Sequence, residues 1–203
     1  MRINILDIFV FRNIFNLFKN NSINIYSRVK ESKIKIKGHD NQIHIEANLD
    51  IKKLKIEISG NNNFIILHKK SKLRNLHIIV QGNNQKISIG SDTEILGANL
   101  ISCGDFNQIS IGNCCLIANG TEMRNCDGHT IFQENKIINQ PKEIQIDNHV
   151  WIGADVTILK GVHIKENSII GINSLVTNSP FEVNSIIAGI PAKIIKRNIQ
   201  WEK

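Results

Sequence analysis

Aromatic residues are scarce in this chain. One Tyr, two Trp and eight Phe make up 5% of its 203 residues, while the hydrophobic share is 41%. A core must therefore be built from aliphatic side chains, chiefly Ile, which suits buried parallel strands with their preference for β-branched residues. Basic stretches interleaved with stacking aromatics are missing, and this argues against nucleic acid as a partner. The four cysteines, Cys103, Cys114, Cys115 and Cys126, form no C-x-x-C pair and have no histidine at zinc spacing. No metal site is expected, and free thiols in a reducing cytoplasm are.

No uninterrupted apolar run is present either. Met1–Phe18 is rich in Ile, Leu and Phe, but Asp7 and Arg12 break it, and it lacks a small-residue cleavage site. It reads as neither a secretion signal nor a bilayer span. The expectation for residues 1–20 is a helical cap over the open end of the domain, because terminal repeats need their cores covered. Contact with a membrane surface through Phe9, Phe11, Phe15 and Phe18 is the alternative, giving a cytoplasmic protein that can lie peripherally at the inner membrane. Acidic residues are outnumbered 18 to 25 by Lys and Arg, for a net charge of +7. That balance points to an anionic partner, a phosphate-bearing cofactor or an acidic polymer, against the bland reading of a solvated lysine-rich surface.

What the chain does have is two periods. Every sixth residue from Ile146 is β-branched: Ile146, Ile152, Ile158, Ile164, Ile170 and Val176. Six fits neither a helix at 3.6 nor an ordinary strand at two; it fits a triangular coil with one short strand and one corner per six residues. Upstream, Gly38, Gly60, Gly82 and Gly104 recur every 22 residues, each opening a phrase in which Gly, Asn or Asp is followed by alternating Ile. Such residues make corners and the alternation enters a strand. A leucine-rich repeat and a right-handed β-helix also accommodate 22 residues. Continuity with the C-terminal coil is preferred, because six-residue steps already emerge at Ile89, Ile95 and Ile101 and at Ile111, Ile117 and Met123. The expected architecture is all-β, a left-handed parallel β-helix over residues 21–203. The step fails between about 126 and 143, which reads as a loop leaving the column, and a short tail begins near 180.

The phrase from Asn148 to Val162, NHVWIGADVTILKGV, and that from Ile186 to Lys196, IIAGIPAKIIK, closely resemble the signature of the left-handed β-helix, hexapeptide-repeat acyltransferases. Residues 119–201, with RNCDGH at Arg124–His129, are most similar to the branch that O-acetylates bacterial surface polysaccharides, sialic-acid capsules among them. The resemblance implies a homotrimer, acetyl-CoA in a groove between neighbouring columns, and a histidine from the loop or the coil edge as general base. The sequence departs from the usual pattern at Asp147, where the family often has glycine, and at Ile172 and Asn173, where it has small residues.

Acyl transfer to a sugar hydroxyl needs a base near neutral pH, and histidine is the usual choice. Of seven histidines, only His129 sits where the column breaks; Asp127 is a candidate to orient it. Trp151 is a candidate to pack on the thioester arm or donate its N–H to the reacting carbonyl. Gly153, Ala154 and Gly171 would let a pantetheine arm approach the backbone, and Lys193, Lys196 and Arg197 suit the CoA phosphates. The expected function is acetyl-CoA-dependent O-acetylation of a glycan, an anionic polysaccharide. N-acetylation of an amino sugar and O-acetylation of a small sugar or antibiotic are rivals within the class; a non-catalytic glycan-binding solenoid is the rival outside it.

Overall fold

The computed structural model describes residues 2–8, 13–17, 20–177 and 181–203, the first two stretches by their backbone alone. The chain winds as a left-handed, three-sided parallel β-helix with no α-helix among the described residues. Seven parallel strands stack on the first face, from Asn21–Ile25 through Gln42–Ile45, Phe64–Leu67, Lys86–Ile89, Gln108–Ile111 and Ile144–Ile146 to His163–Ile164. The second face starts in the first residues of Arg28–Lys37. It runs through Asp50–Lys52, Lys72–Arg74, Glu94–Ile95, Leu116–Ile117, Trp151–Ile152 and Ile169–Ile170 to Ile186–Gly189. The third carries the rest of Arg28–Lys37, then Lys55–Ser59, Leu76–Gln81, Ala98–Cys103, Thr121–Arg124, Thr157–Leu159 and Leu175–Val176.

Parallel stacking brings equivalent positions of successive coils together. Ile45, Leu67, Ile89, Ile111, Ile146 and Ile164 form one inward column on the first face, each at most 3% exposed. Full burial of such a side chain is worth roughly 1.5–3 kcal/mol. Below the loop a coil takes 18 residues: Ile146 lies over Ile164, Ile152 over Ile170 and Ile158 over Val176. Above it a coil takes 22, as from Ile51 to Leu73 and from Leu73 to Ile95. The extra residues lengthen the third face and its corner back to the first. The inward steps of one upper coil run Ile45, Ile51, Ile56, Leu67. This corrects the expected six-residue step at Ile101: Leu100 is the inward residue there and Ile101 faces outward.

That long corner explains the 22-residue glycine period. Gly60 lies at φ +148°, and a Cβ on it would overlap the carbonyl oxygen of Gly82 in the next coil. Inside the same corner, the amides of Asn41, Asn63 and Gln85 form a buried ladder. The Asn63 amide N–H donates to Asn41 Oδ1 (3.1 Å), its Nδ2 donates to Gly82 O (3.0 Å), and its Oδ1 accepts from the Gln85 amide (2.9 Å). The corner from first to second face holds a matching ladder, in which Ser71 Oγ accepts from Thr93 N and Thr93 Oγ1 from Cys115 N.

Three expectations are corrected. The N-terminal segment is not a helical cap: Arg2–Ile8 pairs antiparallel with Arg28–Lys37, and Asn13–Leu17 with Asn21–Ile25. An open sheet edge offers unpaired backbone groups, and a β-branched segment satisfies them by adding strands, where a helix would leave them bare. Phe9, Phe11 and Phe18 lie outside the described residues, and Phe15 is described by its backbone only. Among the described residues no helix is long and apolar enough to cross a membrane. Cys103 and Cys126 are not free thiols; they stand on neighbouring coils with Cα atoms 5.8 Å apart and are joined as a disulfide. Cys114 is free and exposed, and burial pushes the free Cys115 thiol up to about 11. Finally, the tail does not end the sheet: Ile186–Gly189 adds to the second face and Ala192–Lys196 folds back on it antiparallel.

Asn63→Ala should destabilise the column by at least about 2 kcal/mol, because a buried carbonyl and two amide partners lose their hydrogen bonds together. Gln42→Ala, on the exposed side of a strand, should stay within about 0.5 kcal/mol. Chemical denaturation of both variants checks the contrast.

Candidate functional site

The loop leaves the column at the corner between the third and first faces, after Thr121–Arg124, and returns at Ile144–Ile146. It carries a small hairpin, Phe132–Gln133 with Lys136–Ile137, turned by Glu134 and Asn135 at positive φ. Pro141 brings the loop back against Gly104, the last of the period-22 glycines. Ile131, Phe132, Ile137 and Ile138 are 45–64% exposed, an apolar tip on an otherwise tethered segment.

His129 lies at the base of this loop, exposed, beside a cleft of about 230 Å³ whose walls include Cys103, Cys126, Gly128, Thr130 and Pro141. Its backbone is held, since Asn139 Nδ2 donates to His129 O (2.7 Å), but no hydrogen bond to its imidazole is seen among the described residues. Asp127 does not orient that ring. Its carboxylate accepts from Lys160 Nζ and from Asn139 Nδ2 (2.9 Å), and the hydrogen-bonded Lys160 ammonium holds it below the usual carboxylate range. Asn139 also accepts from Ile131 N through its side chain (2.7 Å) and from Lys160 through its carbonyl (3.0 Å). Asp127, Asn139 and Lys160 are thus the fastening of the loop to the column. Neither Asn139 nor Lys160 was legible as functional, because their meeting depends on where the loop returns.

The other candidates gather on the second face. Trp151, Gly153 and Ala154 belong to one coil and Gly171 to the next. Ala118, Gly153, Gly171 and Ala188 each follow the inward residue of their strand and leave a strip of nearly bare backbone down this face. Stacking alone demands small residues here: a Cβ on Gly153 would stand 2.8 Å from Ile172 N, and one on Gly171 would stand 2.8 Å from Ala188 Cβ. Lys193 and Lys196 lie exposed on the antiparallel strand closing the same face, and form no ion pair among the described residues; Arg197 is engaged by Glu182 (2.9 Å).

Trp151 is 40% exposed and does not stand alone. The last residues fold back so that the Trp201 ring stacks on His149 (centroids 4.0 Å apart, planes within 5°) and tilts against Trp151 (6.0 Å). Lys203 Nζ continues up the same corner to Asp92 O (2.8 Å). His149, Asn167, Asn184 and Trp201 border a cleft of about 570 Å³ there, and Trp201 Nε1 is buried without a hydrogen-bond partner among the described residues. Nothing in the tail's periodicity pointed to Trp201; only its rarity could have. Within one chain, then, His129 and Trp151 are not brought together. One is on a corner loop and the other on a face that the corner does not border.

No protein-family model matches the chain. Over 93 residues, 44% of its length, it is 41% identical to the polysialic acid O-acetyltransferase of Escherichia coli O1:K1 / APEC, and this match spans 29% of that relative's own length. The crystal structure of the polySia-specific acetyltransferase NeuO superposes with a TM-score of 0.80 at 37% identity, over 86% of this chain and 74% of that one. The polysialic acid O-acetyltransferase OatWY superposes with a TM-score of 0.64 at 30% identity, over 84% of this chain and 91% of that one.

The loop fastening has a definite pH dependence. A carboxylate with a depressed value in the folded protein contributes at and above its ordinary range and is lost only as pH falls through the depressed value. Pepsin should therefore cut beside Phe132 slowly at about pH 4, the ordinary aspartate value, and readily only below it. Lys160→Met should free the loop at neutral pH, seen as faster tryptic cleavage after Lys136 with the column intact.

Proposed function

Since this chain belongs to the family of the polysialic acid O-acetyltransferases, we propose that it moves an acetyl group from acetyl-CoA to a hydroxyl of an anionic bacterial surface polysaccharide, with sialic-acid capsule as the leading acceptor. The observation that carries this reading is the exposed imidazole of His129, without a hydrogen bond among the described residues, on a loop whose backbone is fastened at both ends. The second face suits the donor. Its strip of small residues exposes backbone amides to a pantetheine arm, and Lys193 and Lys196 stand at its end for phosphates, with Arg197 next to them. Acetyl-CoA supplies the activated acyl group.

The chain's own residues then do three things. His129 accepts the proton of the sugar hydroxyl as its oxygen attacks the thioester carbonyl, and returns that proton as the thiolate leaves. The Trp151 indole N–H and backbone amides donate to the oxyanion that develops. The Asp127–Lys160–Asn139 fastening keeps the loop in place; Asp127 acts on the loop and not on the ring. No nucleophile–base pair is needed, and the acetyl group passes directly between the two substrates.

Because the two candidates occupy different sides of one column, the reading requires a homotrimer in which His129 of one subunit faces Trp151 of the next. The exposed apolar loop tip is the part of the chain that such packing would cover. The protein needs no membrane-embedded part for this chemistry, and the proposal places it in the cytoplasm, where acetyl-CoA is.

His129→Ala should lower kcat for acetylation of polysialic acid by at least about 10²-fold with an unchanged melting temperature. Near-normal turnover would remove the assignment. Trp151→Ala should also be poorly active, yet mixed trimers of the two variants should regain activity, because one interface in each combines an intact imidazole with an intact indole. A mixture as inactive as its components would place both residues in one subunit's site, or outside it.

A further inference from the structure

The positive charge of this protein is not spread evenly. Residues 20–77, the first three coils, hold twelve Lys and Arg against five Asp and Glu, a surplus equal to the whole chain's +7. Residues 78–203, with the loop and Trp151, hold ten against twelve. A solvated surface without a task would not need this separation.

Much of the surplus is concentrated on and beside one face, the second, which also carries Trp151. Lys52 and Arg74 stack in register, as do Lys72, Glu94, Leu116 and Trp151 further down. Lys69 and Lys70 stand at the corner just before Lys72, and Lys53 at the corner just after Lys52; all five lysines are exposed. Lys53, Lys69 and Lys70 form no ion pair among the described residues, and Lys72 has only Glu94 at 3.9 Å. Lys52 is paired with Glu31 (3.2 Å), an exposed and easily exchanged pair, while half-buried Arg74 is held by Asp50. Strand spacing puts Lys72 about 14 Å above Trp151, with Lys69, Lys70 and Arg74 in the same coil and Lys52 and Lys53 one coil further.

We propose that this part of the second face is a docking track for an extended polycarboxylate chain, the acceptor polymer itself, separate from the atoms that react. The inference rests on the functional reading above and adds the acceptor's path to it. Cations that recur with the coil pitch suit a ligand whose charges recur along its length. A donor with its phosphates at one end has Lys193 and Lys196 at the opposite end of the face. Single-stranded nucleic acid would want aromatics between the cations, and the aromatics of these coils, Tyr26 and Phe64, belong to the first face. Anchoring beyond the reacting sugar would lower KM for long chains without altering the chemical step, and salt would weaken it.

The test is a fourfold variant, Lys53→Asn, Lys69→Gln, Lys70→Asn and Lys72→Gln. Asn at 53 and 70 keeps the positive φ of those corners, and an unchanged melting temperature verifies the fold. With acetyl-CoA saturating, the KM for long polysialic acid should rise about tenfold, the sum of several exposed charge contacts. The kcat, and the KM for a sialic acid dimer or trimer, should not move, and the salt dependence of the long-chain KM should flatten. Equal effects on long and short acceptors, or none on either, would overturn the track. So would wild-type binding to phosphatidylserine vesicles that the variant loses while polysialic acid does not bind. Salt-sensitive binding of labelled polysialic acid by a wild type that acetylates no glycan would uphold the track and sink the functional reading.

Discussion

Everything in this protein depends on parallel backbone pairing between coils. Each coil hydrogen-bonds to the ones above and below at strand spacing, so a residue meets the residue one coil later rather than its sequence neighbours. That constraint turns a linear period into vertical columns. Ile columns fill the core, Asn41, Asn63 and Gln85 satisfy a buried corner, and Gly38, Gly60 and Gly82 pass where any side chain would overlap the backbone of the next coil. A mismatch in one coil is felt by two others, which is why buried positions admit so little variety.

The same constraint organises the surface. Residues that follow an inward Ile stack as well, so small residues in successive coils make a continuous strip and basic residues in successive coils make a ladder. On the second face the ladder lies above the strip, and Trp151 stands beside the strip in the coil of Gly153. The loop escapes the constraint: it leaves the ladder at Arg124 and rejoins it at Ile144, and in between it depends on side-chain fastening by Asp127, Asn139 and Lys160. Placing the His129 imidazole on that segment frees it from the column's regularity while its backbone stays fixed. The chemistry proposed for this protein uses both kinds of order, the rigid strip for one substrate and the fastened loop for the other.

Much of this was legible in the residues. The six-residue step from Ile146 to Val176 identified coils of 18, and the glycine period identified coils of 22, because in a solenoid the period is the architecture. Legibility failed where a contact is not periodic. The six-residue step points to Ile101 as inward, but a shortened corner shifts the register by one and Leu100 takes that place. In the N-terminal strands the alternation is masked by extra apolar residues, so the sequence does not distinguish them from a helix. Asp127 was assigned to His129 from adjacency in the chain, whereas its partners lie 12 and 33 residues away.

By itself the sequence determined the triangular column, the break that frees His129, and the residue types that acyl transfer calls for, since each of these follows from local period or composition. The tertiary structure alone decided which cysteines meet, that Trp201 folds back onto His149 and Trp151, that Lys160 fastens the loop, and that the basic residues share a face with Trp151. The reason is that winding joins positions a full coil or more apart. Which of those positions coincide depends on the length of every intervening corner, and a corner's length is set by packing against the coils beside it.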